Sequence, residues 1–336
     1  MSVLSTLPND DYAVLLNANA GRVTSKLEKR LRPLVPEGRF FMTESQLHAK
    51  DVLQSCLDSG VGAIFAGGGD GTIVDVINSL YELQQPGQLL PKVGALRLGT
   101  GNALAGWLGS SNPQKDLGSW RAQRVHQLQQ VHLVEAEETL FPFAGLGIDA
   151  AVLNDYYQVK NNGKGQWYET LAKGMTGYLM AGYSKTLPQY FKNPTNQVRI
   201  VNLGRPAFRI GPNGREMGAP IPTGATIYEG NATVVAVGST PFYGYNMKMF
   251  PYATMRKGRF QLRMISMSPL QIATNIWSAW NGKLVHPGLS DFYADRIRVS
   301  FEKAVPYQLG GEAVGYRNEI TFSLKADPIQ MIRPTT

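Results

Sequence analysis

The apolar stretch Val61 to Ala66 breaks directly into Gly67-Gly68-Gly69-Asp70-Gly71-Thr72, and a helical pattern follows at once. Ile73, Val76, Ile77 and Leu80 line one face of that helix, while Asp75, Asn78 and Glu82 fall on the other. A buried strand that turns through glycines into an amphipathic helix builds a parallel sheet, because parallel strands need a crossover between them. The pattern recurs. Tyr12 to Leu16 leads into Asn17-Ala18-Asn19-Ala20-Gly21 and a basic segment with Leu27, Leu31 and Leu34 at helical spacing. Arg39 to Met42 reads as the next strand. Thr43 and Gln46 have the spacing of a capping box that opens a helix to about Leu57. Val93 to Leu98 is a further strand, ending in Gly99-Thr100-Gly101-Asn102. Alternation of this kind predicts a three-layer α/β domain with a parallel sheet.

Beyond His126 the pattern changes. Val131 to Glu135, Val198 to Val201, Thr233 to Val237, Arg259 to Ile265, Arg296 to Phe301 and Glu319 to Leu324 resemble strands joined by Gly/Pro turns. They predict an antiparallel β-rich, sandwich-like domain. Helical stretches interrupt it at Tyr168 to Leu187 and Pro269 to Trp280. A chain of 336 residues is long for one core, which fits two domains.

Lys and Arg outnumber Asp and Glu by 33 to 25, a formal charge of +8 that favours anionic partners. The single cysteine, Cys56, excludes an internal disulfide and sits in a helical core pattern. Four scattered histidines argue against a zinc site. The first residues show no basic stretch followed by an apolar run, and no segment approaches the ~18–20 apolar residues of a membrane span. The expected location is cytoplasmic, peripherally associated with the inner face of the membrane.

Ligands of an open parallel sheet bind beyond the carboxyl ends of its strands, where three of these strands end in small, polar loops. Consecutive amides in such loops can surround phosphate oxygens, and the helix after Thr72 points its positive end there. No P-loop motif occurs, and Gly145-Leu146-Gly147 lacks the third glycine of a dinucleotide fingerprint. Asp70 is the informative residue. Beside a γ-phosphate an ionised Asp can accept a hydroxyl proton or hold Mg²⁺; its bland alternative is to cap a helix.

The stretch Ala66 to Thr72, followed by Val76-Ile77-Asn78-Ser79-Leu80, resembles the signature of the diacylglycerol, sphingosine and ceramide kinase superfamily. Asn17 to Gly21, Leu98 to Asn102 and Gly147-Ile148-Asp149-Ala150 are similar to three more of its elements. Tyr243-Gly244, Pro251-Tyr252-Ala253, Lys257-Gly258, Gly282-Lys283 and Gln308-Leu309-Gly310-Gly311-Glu312 follow in the family's order. The resemblance implies an ATP-binding domain at 1–130 with a C-terminal return at 315–336, and a lipid-acceptor domain at 131–314. It implies that Asn17, Gly21, Arg22, Thr43, Gly67, Gly68, Gly69, Gly71, Thr72, Gly99, Thr100, Gly101 and Asn102 hold ATP. It gives Asp70 and Glu312 catalytic and Mg²⁺-holding roles, and Asp149 a place with the substrate.

The sequence also departs from the family. Gly310 replaces an Asp, and Lys257 with Gln261 replaces an acidic pair that holds a structural Mg²⁺ in bacterial diacylglycerol kinases, so no tightly held ion is expected there. Asn102-Ala103-Leu104-Ala105 is worded as in sphingosine kinases, which tilts the acceptor towards a sphingoid base or ceramide, with diacylglycerol close behind. The expected partner is a lipid at a membrane surface, not nucleic acid, with a homodimer left open. Aromatic residues from Tyr156 to Tyr183, interleaved with Lys160, Lys164, Lys173 and Lys185, suit an interfacial surface, and Ile276, Trp277 and Trp280 are a second candidate. The rival readings are a soluble NAD-type kinase and a catalytically impaired lipid-binding protein.

Overall fold

The computed structural model of the chain describes residues 11–99, 101–122, 127–153, 196–243 and 247–334. It divides into two compact units, Met1–Val131 with Asp327–Thr336, and His132–Ala326.

In the first unit, β1 (Tyr12–Asn17), α1 (Ser25–Leu31), β2 (Phe40–Thr43), α2 (Gln46–Asp58), β3 (Ala63–Gly68), α3 (Asp70–Leu83) and β4 (Lys92–Arg97) alternate as expected. Two short helices, α4 (Ala103–Trp107) and α5 (Pro113–Arg121), lead to β5 (Gln127–Val131). The sheet runs β2-β1-β3-β4, then the closing strand Ile329–Arg333, then β5. Pairing is parallel except between the closing strand and β5. Alternation along the strands sends Tyr12, Val14, Leu16, Phe65, Leu96 and Leu98 to one face, where they pack with Leu31 of α1 and with Leu117 and Trp120 of α5. α2 and α3 pack on each other, and Cys56 is buried in α2. The start of α2 differs from the expected capping box. Ser45 is the N-cap, accepting from the His48 N–H at 3.1 Å, and Thr43 ends β2 with its side chain buried.

The second unit begins with β6 (Val134–Ala136), β7 (Thr139–Phe141), β8 (Phe143–Gly147), β9 (Asn196–Asn202), β10 (Ala207–Ile210) and β11 (Glu216–Ile221). It continues with β12 (Thr226–Ala232), β13 (Val234–Gly238), β14 (Phe260–Ile265), α6 (Pro269–Thr274), α7 (Ile276–Trp280), β15 (Leu289–Ala294), β16 (Arg296–Leu309) and β17 (Glu312–Leu324). All the pairings in this sheet are antiparallel among the described residues. Its centre is buried on both faces. Ala144, Leu146, Val235, Val237, Leu262 and Met264 face one apolar layer; Phe143, Val234, Ala236 and Ile265 face another with Phe250, Met267 and Ala279. Two-sided burial is why β13 reads as an unbroken apolar run.

The chain returns to the first unit at Asp327, not near 315. The reason is the hairpin: β17 pairs along β16 from Leu309↔Glu312 to Arg296↔Ser323, which keeps residues 312–324 in the second sheet. The single strand expected over Val131 to Glu135 is two strands, with β5 in the first sheet and β6 in the second. The helix expected at Tyr168 to Leu187 and the aromatic-basic segment around it lie outside the described residues, as do Thr100 and Gly244.

Candidate functional site

The ends of β1, β3 and β4 are cross-tied by side chains that the sequence analysis singled out. Asn17 Nδ2 donates to Thr72 Oγ1 at 3.1 Å, joining the first loop to the first turn of α3. Asn17 Oδ1 accepts the Asn19 N–H at 2.9 Å, which fixes the loop around that side chain. Thr43 supports the same loop from β2: its hydroxyl donates to Leu16 O at 3.3 Å, and its carbonyl accepts the Ala18 N–H at 2.9 Å. Gly21 and Arg22 are exposed just beyond.

The glycines are there because neighbours occupy their Cβ positions. A Cβ on Gly68 would fall 2.4 Å from Thr72 Oγ1, and one on Gly99 would fall 2.1 Å from Gly69 Cα. The second and third loops therefore touch backbone to backbone. Asn102, buried and in the left-handed region at φ 47°, closes the third loop, its Oδ1 accepting the Gly99 N–H at 2.9 Å and its Nδ2 donating to Gly99 O. Gly101 is half-buried between them, and Gly71 is exposed on the first turn of α3.

Asp70 is the first residue of α3, yet its carboxylate caps a different helix. Oδ2 accepts the Ala103 N–H and Oδ1 the Leu104 N–H, both at 2.9 Å, at the start of α4. The N-cap of α3 itself is Gly69, which supplies no side-chain bond. Burial raises the Asp70 pKa above the ordinary carboxylate value, and outweighs the opposing pull of the two amides and the Arg97 charge. Arg97 ends β4 in register with Gly68. Sequence reasoning missed it; a cation at the last position of a parallel strand was the available signal.

In the second unit three separated motifs meet. Tyr243 OH donates to Asp149 Oδ2, and Gln308 Nε2 donates to the Tyr243 hydroxyl and, at 3.5 Å, to Asp149 Oδ2. Gln308 Oε1 accepts the Gly311 N–H at 2.9 Å, so the same side chain holds the hairpin turn before Glu312. That turn has φ 57° at Gly310 and 93° at Gly311, the backbone of a two-residue hairpin, and Glu312 is exposed at its exit. Phe143 stacks on Tyr243 at 4.3 Å between ring centres. Burial also raises the Asp149 pKa, against the hydrogen bonds from Tyr243, Ala150 and Gln308.

The segment that departs from the acidic pattern is built as an internal network. Gln261 is fully buried; its Oε1 accepts the Tyr252 N–H and its Nε2 donates to Asp291 Oδ1, both at 2.9 Å. Arg263 grips Asp291 with two bonds of 2.8 Å. Lys257 is exposed. Among the described residues no three His, Cys, Asp or Glu side chains stand together as a metal-ligand group, and no helix is long and apolar enough to cross a membrane.

Residues 11–136 match the diacylglycerol kinase catalytic domain. No curated protein matches the sequence. Two solved structures of candidate diacylglycerol kinases from Bacillus anthracis str. Sterne share the fold. One is 20% identical with TM-score 0.67, over 96% of this chain and 97% of that one. The other is 19% identical with TM-score 0.64, over 96% of each. A diacylglycerol kinase from the same organism is 16% identical with TM-score 0.62, over 96% of this chain and 97% of that one.

Proposed function

We infer the reaction from one premise: the chain is a lipid kinase of the diacylglycerol and sphingosine kinase superfamily, by the catalytic domain that residues 11–136 carry. The reading is transfer of the γ-phosphate of ATP to a hydroxyl of a membrane lipid. The acceptor is a sphingoid base or ceramide, with diacylglycerol close behind, on the wording of Asn102-Ala103-Leu104-Ala105. The observation that supports it best is the carboxylate of Asp70 held by the Ala103 and Leu104 amides, where the second and third loops meet.

In this reading the amides of residues 67–72 and the N-terminus of α3 bind the phosphates, and Asn17 orients Thr72 towards them. The missing Cβ atoms of Gly68 and Gly99 keep the loops close enough to form that cradle. Asp70 takes the hydroxyl proton on a carboxylate oxygen. Its raised pKa suits that role, since a base works best with a pKa near the working pH. Mg²⁺, if it arrives with the nucleotide, would neutralise phosphate charge, with Asp70 as its proposed carboxylate in the first unit. Mg²⁺ ordinarily needs only one or two carboxylates, taking its other ligands from phosphates and water, and a single Asp70 carboxylate fits that mode. Asp149, Tyr243 and Gln308 serve the acceptor. The protein works at the inner face of the membrane from the cytoplasm.

The test is turnover of labelled ATP with sphingosine, ceramide, diacylglycerol and monoacylglycerol in mixed micelles. Label extracted into organic solvent supports the reading. With NAD supplied as a further acceptor, label that stays in water as a phosphorylated dinucleotide would establish the NAD-type alternative, and lipid binding without turnover the impaired one.

A further inference from the structure

Among the described residues eight large apolar side chains are strongly exposed, and three of them fall close together in sequence: Leu270 at 61%, Trp277 at 67% and Val285 at 92%. They belong to the segment that carries α6 and α7. The two helices are nearly continuous. The Asn275 N–H donates to Gln271 O at 3.2 Å, and its carbonyl accepts the Ala279 N–H at 2.9 Å. Residues seven apart therefore share a face. Ile272 and Ala279 form the inner one and pack, with Leu284, against the apolar layer around Phe250 and Met267. Leu270 and Trp277 lie on the outer one. A helix with two apolar faces and one buried needs a second apolar neighbour.

Charge indicates which kind of neighbour. From Met267 to Ser290 there is no Asp or Glu, while Lys283 is exposed at the end of α7. A second lysine stands beside it: the Lys248 N–H donates to Trp280 O at 2.8 Å, and its side chain lies along Gly282. An exposed Trp flanked by lysines, with no carboxylate in the segment, complements the acyl boundary and the negative headgroups of an anionic bilayer.

We propose that the α6–α7 segment, through Leu270, Trp277 and Val285 with Lys248 and Lys283 beside them, is the surface by which this protein docks on an anionic membrane. The choice of a bilayer as the occupant rests on the lipid-kinase reading; the existence of the docking face does not. The insertion is shallow. Trp277 and Leu270 enter the headgroup boundary and the lysines remain with the lipid phosphates.

Sedimentation with phosphatidylcholine vesicles, with and without phosphatidylglycerol, tests it. The double variant Leu270→Gln/Trp277→Ser should lose about tenfold or more in partitioning to both vesicle types, since two apolar side chains leave the interface. Lys283→Glu should weaken binding only where phosphatidylglycerol is present. Leu89→Gln, at a still more exposed apolar site in the first unit, should change nothing. Unchanged binding by the double variant overturns the proposal, and so does a double variant that turns a dimer into a monomer while vesicle binding stays the same. Turnover of a detergent-dispersed acceptor separates the two readings. Normal turnover with unaltered vesicle binding in the double variant removes the docking surface alone. A wild-type protein that turns over no lipid, yet needs Trp277 for vesicle binding, removes the kinase reading alone.

Discussion

Asp70 accepts the N–H of Ala103 at 2.9 Å, and so ties the start of α3 to the start of α4 across more than thirty residues of chain. With Leu104 bonded to the other oxygen, the carboxylate is a helix cap, and it is also the base proposed for phosphoryl transfer. Asp70→Asn separates these roles by magnitude. The amide keeps one acceptor oxygen but turns its NH₂ towards one of the two amide donors, so α4 loses a cap bond worth about 1 kcal/mol. Loss of a general base costs ~10²–10⁴ in rate. The expected result is a small drop in melting temperature, ATP affinity retained or improved, and kcat reduced by at least a hundredfold. A near-normal kcat with the same drop in stability would leave Asp70 only the cap.

Gly68 and Gly99 should respond differently to alanine. At Gly68 the new Cβ meets the Thr72 side chain, its Cβ included at 2.6 Å, so rotation alone makes no room and the first turn of α3 must shift, at the expense of the Thr72 bond to Asn17. At Gly99 it meets Gly69 Cα and N, backbone that can move only with the whole loop. Gly68→Ala is therefore expected to weaken ATP binding in a folded protein. Gly99→Ala is expected to lower stability by about 1–3 kcal/mol as well, in the range of other overpacking changes. Equal denaturation midpoints for the two variants would contradict the backbone contact.

Asp149 makes a prediction about pH. Its pKa is raised in the folded protein, so the folded state keeps a proton that the unfolded chain releases. Its contribution to stability is full below the ordinary carboxylate value, and is lost as pH rises through the folded pKa. Asp149→Asn should flatten that part of the profile and leave the variant relatively more stable at neutral pH. Tyr243→Phe should act in the opposite sense. It removes the hydroxyl that donates to Asp149 and raises the carboxyl further, at a cost of about 1–3 kcal/mol for the buried group left short of a partner. Denaturant midpoints measured across the acid range compare the two slopes directly.

The buried pair of Arg263 and Asp291 should be sensitive to removal of one partner and tolerant of removal of both. Arg263→Met leaves the Asp291 charge without its two 2.8 Å bonds, and should cost ~3–5 kcal/mol. Adding Asp291→Asn is expected to recover much of that loss, since the amide carries no charge and can still accept from Gln261 Nε2. A double variant no more stable than the single one would show that the pair is held by shape and not by charge balance.

Much of the first unit was legible in the sequence, because β1, β3 and β4 are buried on both faces and the loops after them announce themselves with glycine or asparagine. Asp70 could be singled out from spacing alone, but not what it binds: its partners lie on a helix of five residues, Ala103–Trp107, too short to show a period. The capping box at Thr43 misled because two hydroxyl residues, Thr43 and Ser45, compete for one helix start, and the burial of Thr43 in β2 decides between them.

The second unit was harder to read. Glu216–Ile221 holds a Gly, a Pro and mostly exposed side chains, so nothing local marks it as a strand; pairing with β10 makes it one. The long β16 passes through Pro306 with shifts in register, and its length comes from β17 alongside it. The sequence by itself determined the alternation of strands and helices, the three loops and the identity of the lone carboxylate among them, because local period and backbone freedom are properties of neighbouring residues. Tertiary structure decided that Asp70 holds Ala103, that Asp149, Tyr243 and Gln308 form one cluster, and that Asp327 is where the chain returns. Each of those depends on contacts between residues far apart in the chain, where hydrogen bonds and burial are settled only when the sheets close.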